Sequence, residues 1–362
     1  MSASGQIPPD IRAAKDYETA ARRFIDAPVY EYIAGGSGEG SAESANRHAF
    51  EARAIYPRLF AEVADAHVRL NIFNHAFEHP ILLAPVAFQK LAHPLGELET
   101  ARAAQAARAC MVTSTLSTSS LEDIAKIAGE EKWFQLYLQP SRDATLDLLR
   151  RAEFAGYKAI MVTLDAAIQV QSQRASSAGF QMPANLVPAN LVAYPPSEQI
   201  SLNPGESRIV RGAMQHAPTW DDLRWLVSQT SLPVLAKGVM HPDDARALKR
   251  AGVAGLVVSN HGGRAFESAP ASLSALPAVR EAVGDKYPVL MDGGVRSGAD
   301  IFKAIALGAD AVMIGRLQMY ALGVAGALGV AHMLRLLREE LEICMALAGC
   351  TSLADIRQTT LF

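Results

Sequence analysis

The sequence has few cysteines and no large excess of charge of either sign. Its three cysteines, Cys110, Cys344 and Cys350, are odd in number and form no CxxC pair, which argues against a disulfide framework and a zinc site. The 34 basic and 37 acidic residues leave a net charge of −3, so the charge balance favours neither a nucleic acid nor an anionic membrane as partner. We therefore expect a cytoplasmic protein of a reducing compartment without a metal site.

A leader pattern and a long uninterrupted apolar run are also absent. The opening segment, MSASGQIPPDIRAAKD, contains neither a basic region nor the apolar core of a signal peptide. The most apolar stretch, residues 317–336, is interrupted by Gln318, His332 and Arg335, whereas a spanning helix needs roughly 18 uninterrupted apolar residues. Because 50% of the residues are hydrophobic and 20% are charged, we expect a soluble protein with a large core, in which this stretch is a buried helix.

Short apolar runs alternate along the chain with Ala-rich helical segments, and runs that are apolar throughout suit strands covered on both faces. The runs are residues 81–87, 111–115, 133–138, 159–164, 233–237, 255–259, 288–291 and 311–314. The helical segments include residues 97–108, 142–155, 242–251 and 299–307. Eight such units predict an α/β fold, a (β/α)8 TIM barrel formed as one domain by residues 1–362, with a doubly wound open sheet as the alternative.

Two regions depart from the alternation. Residues 1–75 are predicted to form an N-terminal helical cap, in which the glycines of YEYIAGGSGEG end a helix and open a loop. Residues 169–218 contain several prolines and no long periodic segment, and an insert of this length in a compact domain is usually a lid or a binding loop. The insert follows the fourth predicted strand, so we expect it on the barrel face where active sites are built.

Glycine and arginine follow both of the last two predicted strands, in VLMDGGVRSGADIFKAIALGADAVMIGR. Glycines let backbone N–H groups approach an anion, and Arg296 and Arg316 can supply positive charge. Because the loops after strands seven and eight of a barrel commonly hold a phosphate, this segment predicts a phosphate site. The alternative is a pair of ordinary tight turns with surface arginines. The chain has no Walker A pattern and no GxGxxG after a strand, which argues against a nicotinamide cofactor.

Candidate proton-transfer and anion-binding groups follow earlier strands. His261 lies in the motif SNHGGR at the end of the sixth strand, and histidine is the side chain most easily poised for proton transfer near neutral pH. Arg264 can bind a carboxylate, and Asp165 can orient the histidine. Lys237 ends the fifth strand and, if buried, needs an anionic partner or a lowered pKa. A structural histidine and a surface lysine are the competing interpretations.

Strand periodicity adds a polar row. Gln135 and Tyr137 lie on the same side of the third predicted strand, and Thr163 has a similar position on the fourth. We expect these side chains in the upper part of the barrel lumen.

Together these residues resemble the FMN-dependent α-hydroxy acid oxidases and dehydrogenases, a family that includes glycolate, lactate and mandelate oxidases. The resemblance runs from about residue 30 to about residue 353 and rests on YEYIAGGSGE, LAPVAFQKLAHPLGE, FQLY, SNHGGR and DGGVRSGADIFKAIALGAD. VAFQKLAHP and LAGC are most similar to mandelate- or hydroxymandelate-type oxidases.

The resemblance implies roles for individual residues. FMN would be bound by Pro85, Val86, Ala87, Ser114, Gln135, Thr163, Lys237, Ser259, Asp292, Gly294, Arg296, Gly315 and Arg316. The catalytic residues would be His261 as base, Asp165 as its orienting partner, Lys237 and Tyr137. The substrate would be held by Tyr32, Tyr137, Arg264, Arg174 and Leu116.

The implied reaction is oxidation of an (S)-2-hydroxy acid to the 2-oxo acid, with hydride equivalents passing to flavin N5. Ala87 stands where alanine tends to accompany oxidases, which favours O2 as acceptor and hydrogen peroxide as product. A dehydrogenase that passes electrons to a quinone or another carrier is the alternative. The family resemblance also suggests a homotetramer or octamer.

Several residues depart from the family pattern. Ser172 stands where an arginine usually binds the substrate carboxylate, and Arg174 is a possible replacement two residues further on. Leu116 replaces a common aromatic residue, which enlarges an apolar pocket and favours an aryl or bulky, mandelate-like side chain. Ser172 also leaves open an FMN-binding barrel with an altered substrate class or a regulatory role. A non-redox FMN barrel is a further alternative, although it would lack the SNHGGR base.

Overall fold

The structure is a computed structural model that describes residues 5–168, 170–195, 201–203 and 205–362. Its N-terminal region contains three α-helices, α1 (Asp16–Ala20), α2 (Ala27–Ala34) and α3 (Ser41–Glu51), joined by non-helical segments. An antiparallel hairpin of β1 (Leu70–Ile72) and β2 (His75–Phe77) follows, which the sequence analysis did not predict. Its two turn residues, Phe73 and Asn74, both have positive φ, as the tightest hairpin turns require.

Eight parallel strands close into a barrel, which confirms the predicted fold and excludes the open sheet. The strands are β3 (Ile81–Leu83), β4 (Met111–Ser114), β5 (Lys132–Leu136), β6 (Ile160–Thr163), β7 (Val234–Val239), β8 (Gly255–Val258), β9 (Val289–Asp292) and β10 (Ala311–Ile314). β3 ends four residues before its predicted end at residue 87. Pro85 has no backbone N–H to donate to a ladder, so the chain leaves the sheet there.

Helices surround the barrel. They are α4 (Glu97–Ala107), α5 (Leu121–Ala125), α6 (Arg142–Phe154), α7 (Gln173–Ser177), α8 (Trp220–Ser228), α9 (Pro242–Arg250), α10 (Ser272–Val283), α11 (Gly298–Ala306), α12 (Arg316–Ala348) and α13 (Leu353–Arg357). Capping explains several starts: Ser297 and Asp300 form a reciprocal capping box at α11, and Ser352 and Asp355 form another at α13. The four helical segments predicted from the sequence correspond to α4, α6, α9 and α11.

The long helix α12 contains the most apolar stretch of the sequence. By length and composition it is the single helix among the described residues that could cross a membrane, but 72% of its most apolar window is buried. It packs against α4 and α11, and its backbone leaves helical geometry at Ala325 and Gly326. The predicted buried helix is therefore present.

Apolar side chains fill the barrel interior at the amino ends of the strands. Trp133, Leu82, Val112, Met161 and Leu235, which lie near the starts of their strands, form one buried cluster. The hairpin packs on this end of the barrel, and the ring of Phe77 meets that of Trp133 edge-on with centroids 6.1 Å apart. Since the amino ends of the strands are closed in this way, the carboxyl ends are left for a site.

The insert, residues 169–218, has little regular structure in its described part. Besides α7 it contains a single π turn (Arg208–Gly212) and a 3-10 turn (Ala213–His216). Residues 169, 196–200 and 204 lie outside the described residues. A backbone bridge joins Ser172 to Gly38, so the start of the insert is attached to the N-terminal region.

Candidate active site at the carboxyl ends of the strands

A histidine and an aspartate meet at the carboxyl end of the barrel. Nδ1 of His261, just after β8, lies 2.9 Å from Oδ1 of Asp165, just after β6. The backbone N–H of His261 donates to Oγ of Ser259, and the histidine adopts a left-handed conformation with φ 58°. Because the carboxylate faces Nδ1, it favours the tautomer with a proton on that atom and leaves Nε2 free to accept one.

The charge state of Asp165 is set by its surroundings. Burial alone would raise the pKa of this carboxyl, but the nearby Lys237 ammonium and the hydrogen bond from His261 outweigh burial and hold the pKa below its usual value. Asp165 is therefore a carboxylate at neutral pH. It can orient the imidazole and stabilise it when it becomes protonated.

Gly238 makes room for Asp165. It lies at an irregularity in the β7–β8 pairing and has φ +102°. A Cβ on this glycine would lie 2.5 Å from Cβ of Asp165, so any other residue would push the aspartate away. Lys237 in PVLAKG is recognisable from the sequence, whereas Gly238 is not, because its role depends on a contact with a residue that follows another strand.

A buried ammonium lies beside this pair. Nζ of Lys237 is 2.9 Å from Oγ of Ser259 and 3.1 Å from Oδ2 of Asp292, and the Ser259 hydroxyl donates to Oδ1 of Asp292. Burial would lower the pKa of Lys237, but Asp292 and Asp165 raise it above its usual value. The sequence left open an anionic partner or a lowered pKa, and the structure supplies the partner.

The predicted polar row crosses three neighbouring strands. The Gln135 side chain donates to Oγ1 of Thr163 at 3.0 Å and accepts from Oγ of Ser114 at 3.2 Å. Ser114 lines the cavity above, whereas Gln135 and Thr163 are buried behind it. The lumen placement expected from strand periodicity is confirmed.

The two predicted phosphate-binding arginines lie together at the mouth of the barrel. Within the described part of the chain, Arg316 donates only to backbone carbonyls, those of Ile33, Gly35 and Gly262. Burial, with Arg264 nearby, lowers the pKa of its guanidinium to about 10. Arg296 has one carboxylate partner, Glu18, with its Nε 2.8 Å from Oε2.

The Arg316 guanidinium, which forms no ion pair among the described residues, lies at the amino end of α12. Gly315 is the N-cap of that helix, and a Cβ there would meet no atom of the described residues within 4 Å, so its backbone faces open space. Buried positive charge beside a helix N-terminus favours an anion such as phosphate.

One cavity of about 500 Å³ joins these groups. Fifteen predicted site residues line it: Tyr32, Pro85, Val86, Ala87, Ser114, Leu116, Tyr137, Lys237, His261, Arg264, Asp292, Gly294, Arg296, Gly315 and Arg316. Asp165, Gln135, Thr163 and Ser259 lie behind this lining and reach it through the hydrogen bonds described above.

The substrate side of the cavity is built by loops. Arg264 donates to the carbonyls of Tyr32 and Gly35, and its guanidinium carbon lies 4.9 Å from the centroid of the Tyr32 ring. Burial raises the pKa of Tyr137, which keeps its hydroxyl protonated. Apolar residues that the sequence analysis did not select complete the wall: Phe88, Ile168, Val170 and Phe180.

Arg174 lies elsewhere. Its guanidinium forms an ion pair with Glu31 on α2 and does not line the cavity. Ser172 does line the cavity, and its hydroxyl caps α7 by accepting from the backbone of Ala175. The expectation that Arg174 replaces the family arginine therefore finds no support in the geometry, because its side chain is paired outside the cavity.

Comparisons with known proteins point to one enzyme family. Residues 21–362 match the family model described as FMN-dependent dehydrogenase. The chain is 60% identical over 361 residues to an L-lactate oxidase of Alicycliphilus denitrificans, covering 100% of this chain and 99% of the relative. It is 41% identical to glycolate oxidase 3 of Oryza sativa subsp. indica, covering 96% and 95% of the two chains. A solved mandelate oxidase with (S)-2-phenylpropionate is 38% identical, with a TM-score of 0.88 and coverage of 97% and 98%.

Proposed function

Since the chain belongs to the FMN-dependent dehydrogenase family and is an FMN-dependent oxidoreductase of 2-hydroxy acids, we propose that it oxidises an (S)-2-hydroxy acid with an apolar side chain. The product is the 2-oxo acid, and O2 is reduced to hydrogen peroxide. One observation carries this proposal: His261, paired with Asp165 behind it, lines the same cavity as Lys237 and Arg264. A base, a fixed positive charge and a carboxylate-binding group are what this oxidation needs.

The residues of the cavity fit FMN. The Arg316 guanidinium, which forms no ion pair among the described residues, and the nearby Arg296, which is paired with Glu18, lie beside the amino end of α12 and suit the single phosphate of FMN. Ser114 and the polar row behind it, with Lys237, offer donors and acceptors for a polar ring edge. When bound, FMN supplies the two-electron acceptor that no side chain of the protein can supply.

In the proposed mechanism, His261 takes a proton from the substrate at Nε2. Asp165 accepts the hydrogen bond from Nδ1, holds the ring in place and stabilises the imidazolium. Asp165 can stabilise the imidazolium because its pKa is held below its usual value, which keeps it negatively charged. General-base catalysis of this kind contributes roughly 10²- to 10⁴-fold.

Lys237 and Arg264 are the two positively charged side chains proposed to stabilise negative charge during the reaction. Lys237 stays protonated because Asp292 and Asp165 surround it, so it presents a fixed positive charge at the cavity floor. Arg264 lines the cavity, and among the residues that the structure describes its guanidinium donates only to backbone carbonyls. Its planar guanidinium suits the substrate carboxylate, and the hydroxyl of Tyr137 lies in the same cavity.

The substrate side chain is proposed to be apolar. Leu116, Ile168, Val170 and Phe180 line the cavity. Ser172, which stands where the family usually has an arginine, adds an uncharged hydroxyl to the lining. L-lactate is the first candidate because of the L-lactate oxidase that is 60% identical. A bulkier, mandelate-like acid is the second, supported by Leu116 and by the similarity to mandelate oxidase structures.

The acceptor is proposed to be O2. Ala87, at a cavity position where alanine tends to accompany oxidases, and the names of the relatives support this choice. A dehydrogenase that passes electrons to a quinone is the competing function, and slow reoxidation in air would distinguish it.

The test is anaerobic mixing of the purified flavoprotein with L-lactate, D-lactate, (S)-mandelate and glycolate, followed by admission of air. We expect the flavin absorbance to bleach with L-lactate or (S)-mandelate and to return quickly, with peroxide formed. The absence of bleaching with every acid would overturn the proposed reaction. Bleaching followed by slow recovery in air would overturn only the oxidase assignment.

A further inference from the structure

The insert contributes an aromatic side chain to the substrate side of the cavity. Phe180 lines the cavity, and its ring stacks on that of Tyr32 with centroids 4.2 Å apart and an angle of 14° between the planes. The same Tyr32 ring contacts the Arg264 guanidinium. Phe180, Tyr32 and Arg264 thus form a continuous series of contacts, which we call the aromatic column. It links the insert, α2 and the loop after β8.

The position of Phe180 is fixed by several anchors. Its backbone N–H donates to the carbonyl of Ala175 in α7. At the amino end of α7, backbone hydrogen bonds join Gly38 to Gln171 and Gln173. Phe180 is therefore held against Tyr32 by the backbone, and its ring occupies a defined place.

The chemistry of this wall bears on selectivity. Arg264 faces the cavity and can hold the carboxylate common to all 2-hydroxy acids, so it cannot distinguish their side chains. Phe180 is the large aromatic group that the insert places on this wall, beside the smaller Val170 and Ile168. A rigid ring at this place limits the space for the side chain of a substrate whose carboxylate is fixed.

We propose that Phe180 is a specificity-determining residue that limits the size of the side chain accepted at this site and keeps the Tyr32 ring in position. This inference rests on the proposed 2-hydroxy acid oxidation. Removing the ring enlarges the wall, so bulky acids gain relative to lactate. Short acids lose contact, which raises their KM more than it lowers kcat.

The experiment compares kcat and KM for L-lactate and (S)-mandelate in the FMN-loaded wild-type protein and in F180A, F180L and F180Y. For F180A we expect the ratio of kcat/KM for mandelate over that for lactate to rise about tenfold. The leucine variant should show a smaller rise, whereas the tyrosine variant, which keeps the ring, should stay within about twofold of wild type. Met182→Ala is the matched control, since Met182 is an apolar residue of the same insert, 38% exposed and outside the cavity lining.

An unchanged or lower ratio in F180A would overturn the proposal, as would an equal rise in M182A. If F180A fails to retain FMN, the ratio measured in F180L decides in the same way. The two levels of inference fail differently. A wild-type protein whose flavin is bleached by no 2-hydroxy acid removes the proposed function, whereas bleaching with an unaltered ratio in the variants removes only the role of Phe180.

Discussion

The floor and the wall of the cavity are built differently. The floor consists of side chains on or just after barrel strands, among them Gln135, Lys237, His261 and Asp292, and they bond to one another. The wall comes from α2, the loop after β4 and the insert, and it is held by stacking and by backbone contacts. Barrel registry fixes the floor, so chemistry common to a family can reside there, while the wall is free to vary with the substrate.

If the side chains of the floor carry out the chemistry, replacing the proposed catalytic base, His261, should cause the largest loss of activity. We expect H261Q to retain FMN and to reduce the rate of anaerobic flavin reduction by roughly 10³-fold. The physical reason is the loss of Nε2 as proton acceptor, while the binding groups stay in place. Stopped-flow absorbance measures the rate, and flavin content is the control. A rate near that of wild type would show that another group removes the proton.

Gly238 on the floor touches no reacting atom, but replacing it should also slow flavin reduction. G238A places a methyl group 2.5 Å from Asp165, so the aspartate must move and His261 loses its orientation. We expect flavin reduction to slow by about 10- to 100-fold, because displacements of about 1 Å at a catalytic group have costs of this size.

Gly284→Ala is the matched control for that variant. Gly284 also has a positive φ, +80°, but no atom of the described chain lies within 4 Å of its added Cβ. Both variants pay for backbone strain, of order 1 kcal/mol. Equal rates of flavin reduction in the two variants would assign the effect to strain alone.

Arg316, at the proposed phosphate site, should make the affinity for FMN depend on pH. Burial lowers the pKa of Arg316 to about 10 in the protein without FMN, and a phosphate dianion binds its charged form. FMN affinity should therefore fall as the pH rises through 10, by up to about tenfold per pH unit. Fluorescence titration of the apoprotein with FMN measures this effect. Riboflavin has the same ring and no phosphate, so an equally steep loss for riboflavin would contradict the role of Arg316.

The smallest effect is expected at Arg174, which belongs to the insert but has its side chain outside the cavity. Its side chain is 43% exposed and pairs with Glu31 outside the cavity, and exposed ion pairs contribute little. R174M should change the KM for L-lactate by less than about threefold, which steady-state kinetics can measure. A large rise in KM with unchanged kcat would mean that Arg174 reaches the substrate carboxylate after all.

The contrast between floor and wall also explains what the sequence could predict. Apolar runs and polar residues at their ends were sufficient for the barrel and for the positions of Lys237 and His261, because a parallel barrel brings all strand ends to one face. Strand periodicity likewise placed Gln135 correctly. Such patterns involve residues close together in the sequence, so they can be interpreted before the rest of the fold is known.

The features that were missed depend on contacts between distant segments. Nothing in the local sequence shows that Phe180 stacks on Tyr32, that Arg174 pairs with Glu31, or that Gly238 lies against Asp165. The hairpin β1–β2 was also missed, because its three-residue strands are too short to show periodicity.

The central claim is that His261 and Asp165 act as one unit in proton removal. The most direct measurement is the anaerobic flavin reduction rate in wild type, H261Q, D165N and the double variant, with flavin content as control. If the two residues form a unit, D165N slows the wild-type protein about 10²-fold and has almost no further effect in the H261Q background. Full additivity of the two losses would contradict the claim.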